Sequence, residues 1–174
     1  MTKSAQPYTV NVREATEADT ETIIWLIKEL AIYEKEPQEA KATPALVKEN
    51  IFEKKYANCI IAESEGEDGK LAPVGLAIYF FSFSTWTCKP SLYLEDLFVL
   101  ESVRNRGVGK ALFRNLGRIA KEKGCGRVDW SVLDWNAPSI AFYKQVLGAK
   151  PMDGWTGMRL EGQEAIERLV TLGQ

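Results

Sequence analysis

Leu92-Tyr93-Leu94-Glu95-Asp96-Leu97-Phe98-Val99-Leu100 leads through Glu101-Ser102-Val103 into Arg104-Asn105-Arg106-Gly107-Val108-Gly109-Lys110, and on to Ala111-Leu112-Phe113-Arg114-Asn115-Leu116. The order is an apolar strand, a short turn, a basic loop with two glycines, and an amphipathic helix that begins at the loop. Such a loop leaves backbone N–H groups unused at a helix N-terminus, where the helix dipole is positive. It suits a pyrophosphate, and its glycines admit a close backbone approach that a Cβ would block. A P-loop is excluded because Lys110 is followed by Ala111 rather than Ser or Thr. A dinucleotide fingerprint is excluded because Leu112 stands where a third glycine is needed. What remains is Arg-x-x-Gly-x-Gly at Arg104, Gly107 and Gly109, or an ordinary strand-to-helix turn that happens to hold two glycines.

The chain of 174 residues is long enough for one domain with a substantial core, and 45% hydrophobic with 26% charged residues is a globular composition. A net charge of −2 gives no general attraction to nucleic acid or an anionic membrane, so neither is an expected partner. A polyanion site must be local, and Arg104, Arg106 and Lys110 form the one basic cluster beside a glycine loop. Cys59, Cys88 and Cys125 have neither metal-site spacing nor the even count of a disulfide framework, which predicts a reducing, cytoplasmic setting. Residues 1–7 hold no apolar segment and read as a flexible tail, and no apolar run reaches transmembrane length. Histidine is absent. That removes Ser-His dyads and most zinc sites, so no metal is expected, and acid–base work falls to carboxylates, Tyr, Cys or Lys.

Alternation from Tyr8 to Arg13 predicts a half-buried strand. Thr16 with Asp19 resembles a capping box opening a helix to Tyr33, with Ile23, Ile27 and Leu30 on its apolar face. Thr43-Pro44 predicts a second helix start, with Leu46, Val47 and Ile51 buried. Strands follow at Asn58–Ala62 and Val74–Phe83, joined by the hairpin loop Glu65–Gly69; the second, almost wholly apolar, is expected to be buried on both faces. Ser84–Pro90 is the turn into the quoted strand. A helix from Val108 to Lys123 should present Leu112, Leu116 and Ile119 and stop at Gly124. Arg127–Leu133 reads as a strand, Asn136 to Val146 as a capped helix closed by Gly148, Thr156–Leu160 as a strand and Gln163–Leu172 as a helix.

Glu95 and Asp96 interrupt an apolar strand. Alternation puts them on opposite faces, so they are not expected to act as a pair. A carboxylate there is costly unless it is paired, hydrogen-bonded or facing a wet cleft. One functional reading is removal of a proton from a bound primary amine, which with a pKa of about 10 is almost wholly protonated and inert near neutral pH. Glu95 is the chosen acid. In Asn136-Ala-Pro-Ser139-Ile-Ala-Phe142-Tyr143, Asn136 or Ser139 can cap the helix. Tyr143 lies nearly two turns beyond Asn136 on roughly the same face, either as a packed aromatic or as a proton donor to a leaving thiolate.

Glu95-Asp96, the Arg-x-x-Gly-x-Gly loop and Trp135-Asn136-x-Pro-Ser139-x-x-Phe142-Tyr143 occur in the order found in the GNAT acetyltransferase superfamily. With Leu26-Ile-Lys-Glu-Leu-Ala-x-Tyr33-Glu34 and Gly154-Trp155, they resemble its diamine acetyltransferase family, which acetylates polyamines and related amines. The resemblance implies an α/β GNAT fold in one domain over residues 8–174: a mixed central sheet, splayed after the fourth main strand and flanked by helices on both faces. It implies acetyl-CoA as co-substrate, a small-molecule amine as acceptor, a homodimer, and direct transfer in a ternary complex. Tyr143 is then the proton donor and Glu95 the acid that deprotonates the amine through water. Leu97, Phe98, Val99, Arg104, Asn105, Arg106, Gly107, Val108, Gly109 and Lys110 correspond to coenzyme contacts, as do Asn136 and Ser139. Tyr33, Glu34, Trp86, Glu95, Asp96 and Trp155 correspond to the amine site.

One departure shifts the substrate. Polyamine-acetylating members usually carry Asp-Pro-Trp before the quoted strand, where this chain has Ser84-Thr85-Trp86. Together with Lys123-Gly-Cys125 and Leu133-Asp-Trp-Asn136, this is more similar to the branch acetylating thialysine, S-(2-aminoethyl)-cysteine. A protein-lysine or peptide N-acetyltransferase would use the same coenzyme loop with a wider groove. A non-catalytic acyl-CoA sensor would keep the loop but lose the acid and the tyrosine, and Glu95 and Tyr143 are both present.

Overall fold

The computed structural model describes residues 8–66 and 69–173. The expected tail at residues 1–7, and Glu67 and Asp68 of the expected hairpin loop, lie outside the described residues. The chain forms two compact units, one ending at Ser131 and the other beginning at Val132.

The first unit holds β1 (Val10–Glu14), α1 (Thr20–Tyr33), α2 (Pro44–Val47), β2 (Asn58–Glu65), β3 (Leu71–Ser84), β4 (Lys89–Val99), α3 (Val108–Glu122) and β5 (Arg127–Trp130). The strands form one sheet in the order β1-β2-β3-β4-β5, antiparallel up to β4 and parallel between β4 and β5. The parallel pair needs a crossover, and α3 supplies it.

Both faces of the sheet are covered. Ile60, Ala62, Ala77, Leu92 and Leu94 pack with Val108, Leu112, Leu116 and Ala120 of α3. Cys59, Ile61, Leu76, Ile78 and Phe98 pack with Ile23, Ile24, Leu26 and Leu30 of α1 and Val47 of α2. This two-sided burial is why β2 and β3 read as nearly continuous apolar runs, since successive side chains serve opposite layers. The expected burial of β3 holds from Val74 to Tyr79 but not beyond. Phe81 and Phe83 are 39% and 59% exposed, because β2 stops opposite Tyr79.

Three further expectations in this unit need correction. The second helix is a single α-turn followed by a π-helical turn over Lys48–Glu53, and Leu46 is exposed while Val47 is buried. The strand after α3 ends at Trp130 instead of Leu133. The helix opened by Thr16 begins as a 3-10 turn, Glu17–Asp19, before α1. At the far end of α3 the sequence reading holds. Gly124 (φ 67°) lets its own N–H reach the Lys121 carbonyl at 3.1 Å, and the Cys125 N–H reaches the Ala120 carbonyl at 2.8 Å.

The β4–β5 ladder covers only Ser91–Leu94 against Arg127–Trp130. From Asp96 to Val99, β4 is paired with β3 alone. The sheet is therefore splayed after its fourth strand.

The second unit holds α4 (Ala137–Gln145) and α5 (Gln163–Val170). The strand expected at Thr156–Leu160 does not form, and these residues are exposed without regular structure. An extended segment needs a neighbour for its N–H and C=O groups, and no described strand pairs with this one.

Arg13 ties β1, β2 and the start of the helix together. Its Nη1 and Nη2 donate to the Asp19 carboxylate at 2.8 and 2.7 Å, and its Nε and Nη2 donate to Glu63 Oε1 at 2.9 and 2.8 Å. Asp19 also accepts from the Thr16 N–H and hydroxyl at 2.8 and 3.0 Å. The Arg13 hydrogen bonds hold the Asp19 carboxyl well below the usual carboxylate range. Replacing Arg13 with Met should lower unfolding stability by about 2–4 kcal/mol, since it strands two largely buried carboxylates. A folded-state pKa that is depressed contributes stability above the unfolded value and loses it only in strong acid. Urea denaturation should therefore show a deficit that stays nearly constant from about pH 5 to 8.

Candidate active site

The loop between β4 and α3 is shaped by two left-handed residues. Asn105 has φ 63° and Gly107, which caps α3, has φ 90°. A left-handed residue among right-handed neighbours turns successive N–H groups into an anion-binding concavity. The N–H groups of Val108, Gly109 and Lys110 precede the first intrahelical bond of α3, from the Ala111 N–H to the Gly107 carbonyl at 3.0 Å. A Cβ built on Gly107 or Gly109 would meet no atom within 4 Å, so the space in front of both is open.

The two arginines of the loop lie against aromatic rings. The Arg104 guanidinium sits 4.4 Å from the Tyr33 ring centre and 5.8 Å from that of Phe98, and its Nε donates to the Val99 carbonyl at 3.1 Å. Arg106 sits 5.2 Å from the ring centre of Tyr8, whose hydroxyl is 2.7 Å from Ser64 Oγ. Lys110 is exposed. Tyr8 is not a candidate from the sequence, which gives no sign that the segment before β1 reaches this loop.

The acids depart from strand alternation. Asp96 is opposite Ile78 and Leu94 is opposite Tyr79, so Glu95 is an extra residue without a partner on β3. This is a β-bulge, and it reverses the phase of the strand. Leu92 and Leu94 face α3 before it; Leu97 and Val99 face α3 after it, while Phe98 packs towards α1. The expectation that Glu95 and Asp96 cannot act together is corrected, because regular alternation fails at this point.

Asp96 is the perturbed acid. Burial, then the charges of Glu95 and Glu34, push its carboxyl up to about 6. Burial also raises Glu34, the residue after α1. Among the described residues, no Lys or Arg pairs with Glu34, Glu95 or Asp96. The arrangement is an uncompensated negative site containing an acid that titrates near neutrality. Such a site suits an ammonium group, whose charge would offset the repulsion.

Trp86 is in the β3–β4 turn and 88% exposed. Ser84 is buried there and its hydroxyl accepts from the Thr87 N–H at 3.4 Å, so it serves the turn itself. In the second unit, Asn136 caps α4 by accepting from the Ser139 N–H at 3.3 Å. Tyr143 is half-buried on α4, edge-on to Phe142 with ring centres 5.8 Å apart. Trp155 is 71% exposed.

Residues 20–149 match the model of the acetyltransferase (GNAT) family. The chain belongs to the GNAT acetyltransferase family. A thialysine N-epsilon-acetyltransferase from Sus scrofa is 35% identical over 161 residues, covering 88% of this chain and 94% of the relative. A spermidine/spermine N(1)-acetyltransferase-like protein 1 from Homo sapiens is 32% identical, covering 90% of this chain and 23% of its own length. Among solved structures, an integron cassette protein from V. cholerae superposes with a TM-score of 0.73 at 26% identity, covering 92% of this chain and 97% of that one. The chain is accordingly an N-acetyltransferase acting on an amine.

GNAT acetyltransferases use acetyl-CoA as co-substrate, and the residues present fit it. The space in front of Gly107 and Gly109 is open, the first N–H groups of α3 precede its first intrahelical bond, and β4 offers an unpaired edge beyond the bulge. No group of three or more His, Cys, Asp or Glu among the described residues is placed to hold a metal ion, and no described helix is long and apolar enough to cross a membrane.

Two outcomes are expected. Gly107→Val adds a branched Cβ at φ 90° and fills the open space, so acetyl-CoA binding by calorimetry should fall at least 30-fold while the melting transition persists. Undiminished binding in both Gly107→Val and Gly109→Val would remove the loop from the coenzyme site. Asp96→Asn should change the pH profile of amine kcat/KM. The carboxyl charges as pH rises through about 6 and attracts the cationic amine only when charged. The wild type should therefore bend near pH 6, with activity falling below it, and the variant should lose one unit of logarithmic slope there.

Proposed function

We propose that the chain transfers the acetyl group of acetyl-CoA to the primary amine of a small lysine-like amino acid, with thialysine the leading acceptor. The observation that carries this is the unpaired carboxylate group of Glu34, Glu95 and Asp96, with Asp96 poised near neutrality. Identity of 35% along most of a relative named for thialysine acetylation supports the choice of acceptor. So does Ser84-Thr85 before Trp86, where an acid would serve a second, distal ammonium. Such a pair is worth about 1 kcal/mol when exposed. The thioether two carbons from the nitrogen of thialysine also withdraws electrons and leaves more of the amine neutral.

Acetyl-CoA supplies the acetyl group activated as a thioester. The residues of the chain have four tasks in this mechanism. Gly107, Val108, Gly109 and Lys110 hold the pyrophosphate through backbone N–H groups and one ammonium, with Asn105, Arg106, Asn136 and Ser139 as further contacts. The free edge of β4 at Leu97, Phe98 and Val99 holds the pantetheine and polarises the carbonyl. Glu95 and Asp96 attract the ammonium and take its proton through water, with Tyr33, Glu34, Trp86 and Trp155 around the acceptor. Tyr143 returns a proton to the departing thiolate, since phenol and thiol pKa values lie within about two units of each other. One N-acetyltransferase domain over residues 8–174, acting as a homodimer in the cytoplasm, belongs to the same proposal and rests on the family resemblance and the cysteine pattern.

A coenzyme A release screen over thialysine, lysine, spermidine, spermine, putrescine and a histone-tail peptide tests the acceptor. Thialysine should lead in kcat/KM. Spermidine ahead by tenfold would replace the proposal with polyamine acetylation, and the peptide ahead would move the chain to protein acetylation. Binding of acetyl-CoA with no turnover of any of the six would leave the family standing and overturn thialysine as the acceptor.

A further inference from the structure

Arg104 opens the coenzyme loop, and its position in the motif suggests a phosphate ligand. Its side chain instead spans three elements. The guanidinium covers Tyr33 at the end of α1 and approaches Phe98 of β4, while Nε is bonded to the carbonyl of Val99, the last residue of β4. The next residue, Asn105, is left-handed at φ 63°, a conformation less populated than the right-handed one even for Asn, so the contact that fixes the residue before it helps to set the loop. Tyr33 in turn precedes Glu34, whose charge acts on Asp96.

We propose that the Arg104–Tyr33 contact couples the acceptor wall to the coenzyme loop. Tyr33, an α1 residue, thereby supports acetyl-CoA affinity, and Arg104 is a positioning residue for the amine side. The proposal rests on the coenzyme and acceptor assignments above. With Arg104 seated on the ring, the start of the loop is fixed and Asn105 stays in its left-handed state. Without the ring the loop samples other states, and affinity falls by the fraction that remains competent. Linkage makes the effect reciprocal, so bound coenzyme steadies Tyr33 and Glu34 for the amine. The contact is made by the face of the ring. The flat, delocalised guanidinium is needed, because an ammonium cannot both cover the ring and donate through Nε to Val99.

Calorimetry with acetyl-CoA on amine-free protein tests this in wild type, Tyr33→Leu, Tyr33→Phe, Arg104→Lys, Arg104→Gln and the double variant Tyr33→Leu/Arg104→Gln. Tyr33→Leu should weaken binding about five- to tenfold, the scale of a partly desolvated cation–π contact, while Tyr33→Phe stays within about twofold. Arg104→Lys should bind nearly as poorly as Arg104→Gln, and the double variant no worse than Arg104→Gln alone, because both changes break one contact. In turnover assays, Tyr33→Leu should raise the KM for acetyl-CoA with a smaller change in kcat. Unchanged affinity in Tyr33→Leu, full affinity in Arg104→Lys, or multiplying losses in the double variant would each overturn the coupling. If Tyr33→Leu does not fold, Arg104→Lys decides alone. Failure of the wild type itself to bind acetyl-CoA would overturn the coenzyme assignment instead.

Discussion

Beyond Leu94 the backbone of β4 has a strand partner on one side only. Elsewhere in a sheet a free edge invites pairing with another chain. Here it begins at a bulge, follows directly from the parallel ladder with β5, and leads into the glycine loop at the start of α3. The bulge bends the strand and ends that ladder, so the same insertion that reverses the phase of β4 also opens its edge. An extended ligand carrying amide groups can take up those unpaired donors and acceptors, and its phosphates can continue to the N-terminus of the helix. The free edge of β4 thus begins at one irregular residue, Glu95, in an otherwise regular strand.

Two sets of carboxylates in the first unit show how partners decide the chemistry of one residue type. Asp19 and Glu63 share Arg13, and Asp19 is held far below its ordinary pKa. Asp96 is half-buried with two acids acting on it and no base, and is pushed the other way. The first set is structural: its charges are cancelled within the fold, and it binds three segments together. The second has no described Lys or Arg paired with it. A carboxylate held this way is a stronger base than an ordinary one, and a cation beside it would offset the repulsion that raises it.

The loop arginines add a constraint of a different kind. A basic loop for polyphosphate would self-repel if its guanidiniums were left free. Stacking Arg104 on Tyr33 and Arg106 on Tyr8 keeps their positive charge at the loop while fixing their side chains to α1 and to the segment before β1. The first backbone N–H groups of α3 and the exposed Lys110 lie beside them.

By itself the sequence determined the strand–loop–helix unit at residues 92–116, the choice among phosphate loops, the two-sided burial of β3 from Val74 to Tyr79, the stop at Gly124 and a capped helix start at Asn136 or Ser139. Each is a local consequence of backbone geometry or periodicity, so neighbouring residues suffice to reveal it. The family could be read for the same reason, since its motifs are short and lie on these local features. Tertiary structure alone decided that Glu95 is inserted rather than paired, although the change of apolar parity from Leu92 and Leu94 to Leu97 and Val99 was visible in the letters. It also decided that Asp96 is the shifted acid, that Arg104 rests on Tyr33, and that Thr156–Leu160 lacks a strand partner. Register, long-range charge and stacking depend on residues far apart in the chain, and no local pattern encodes which of them will meet.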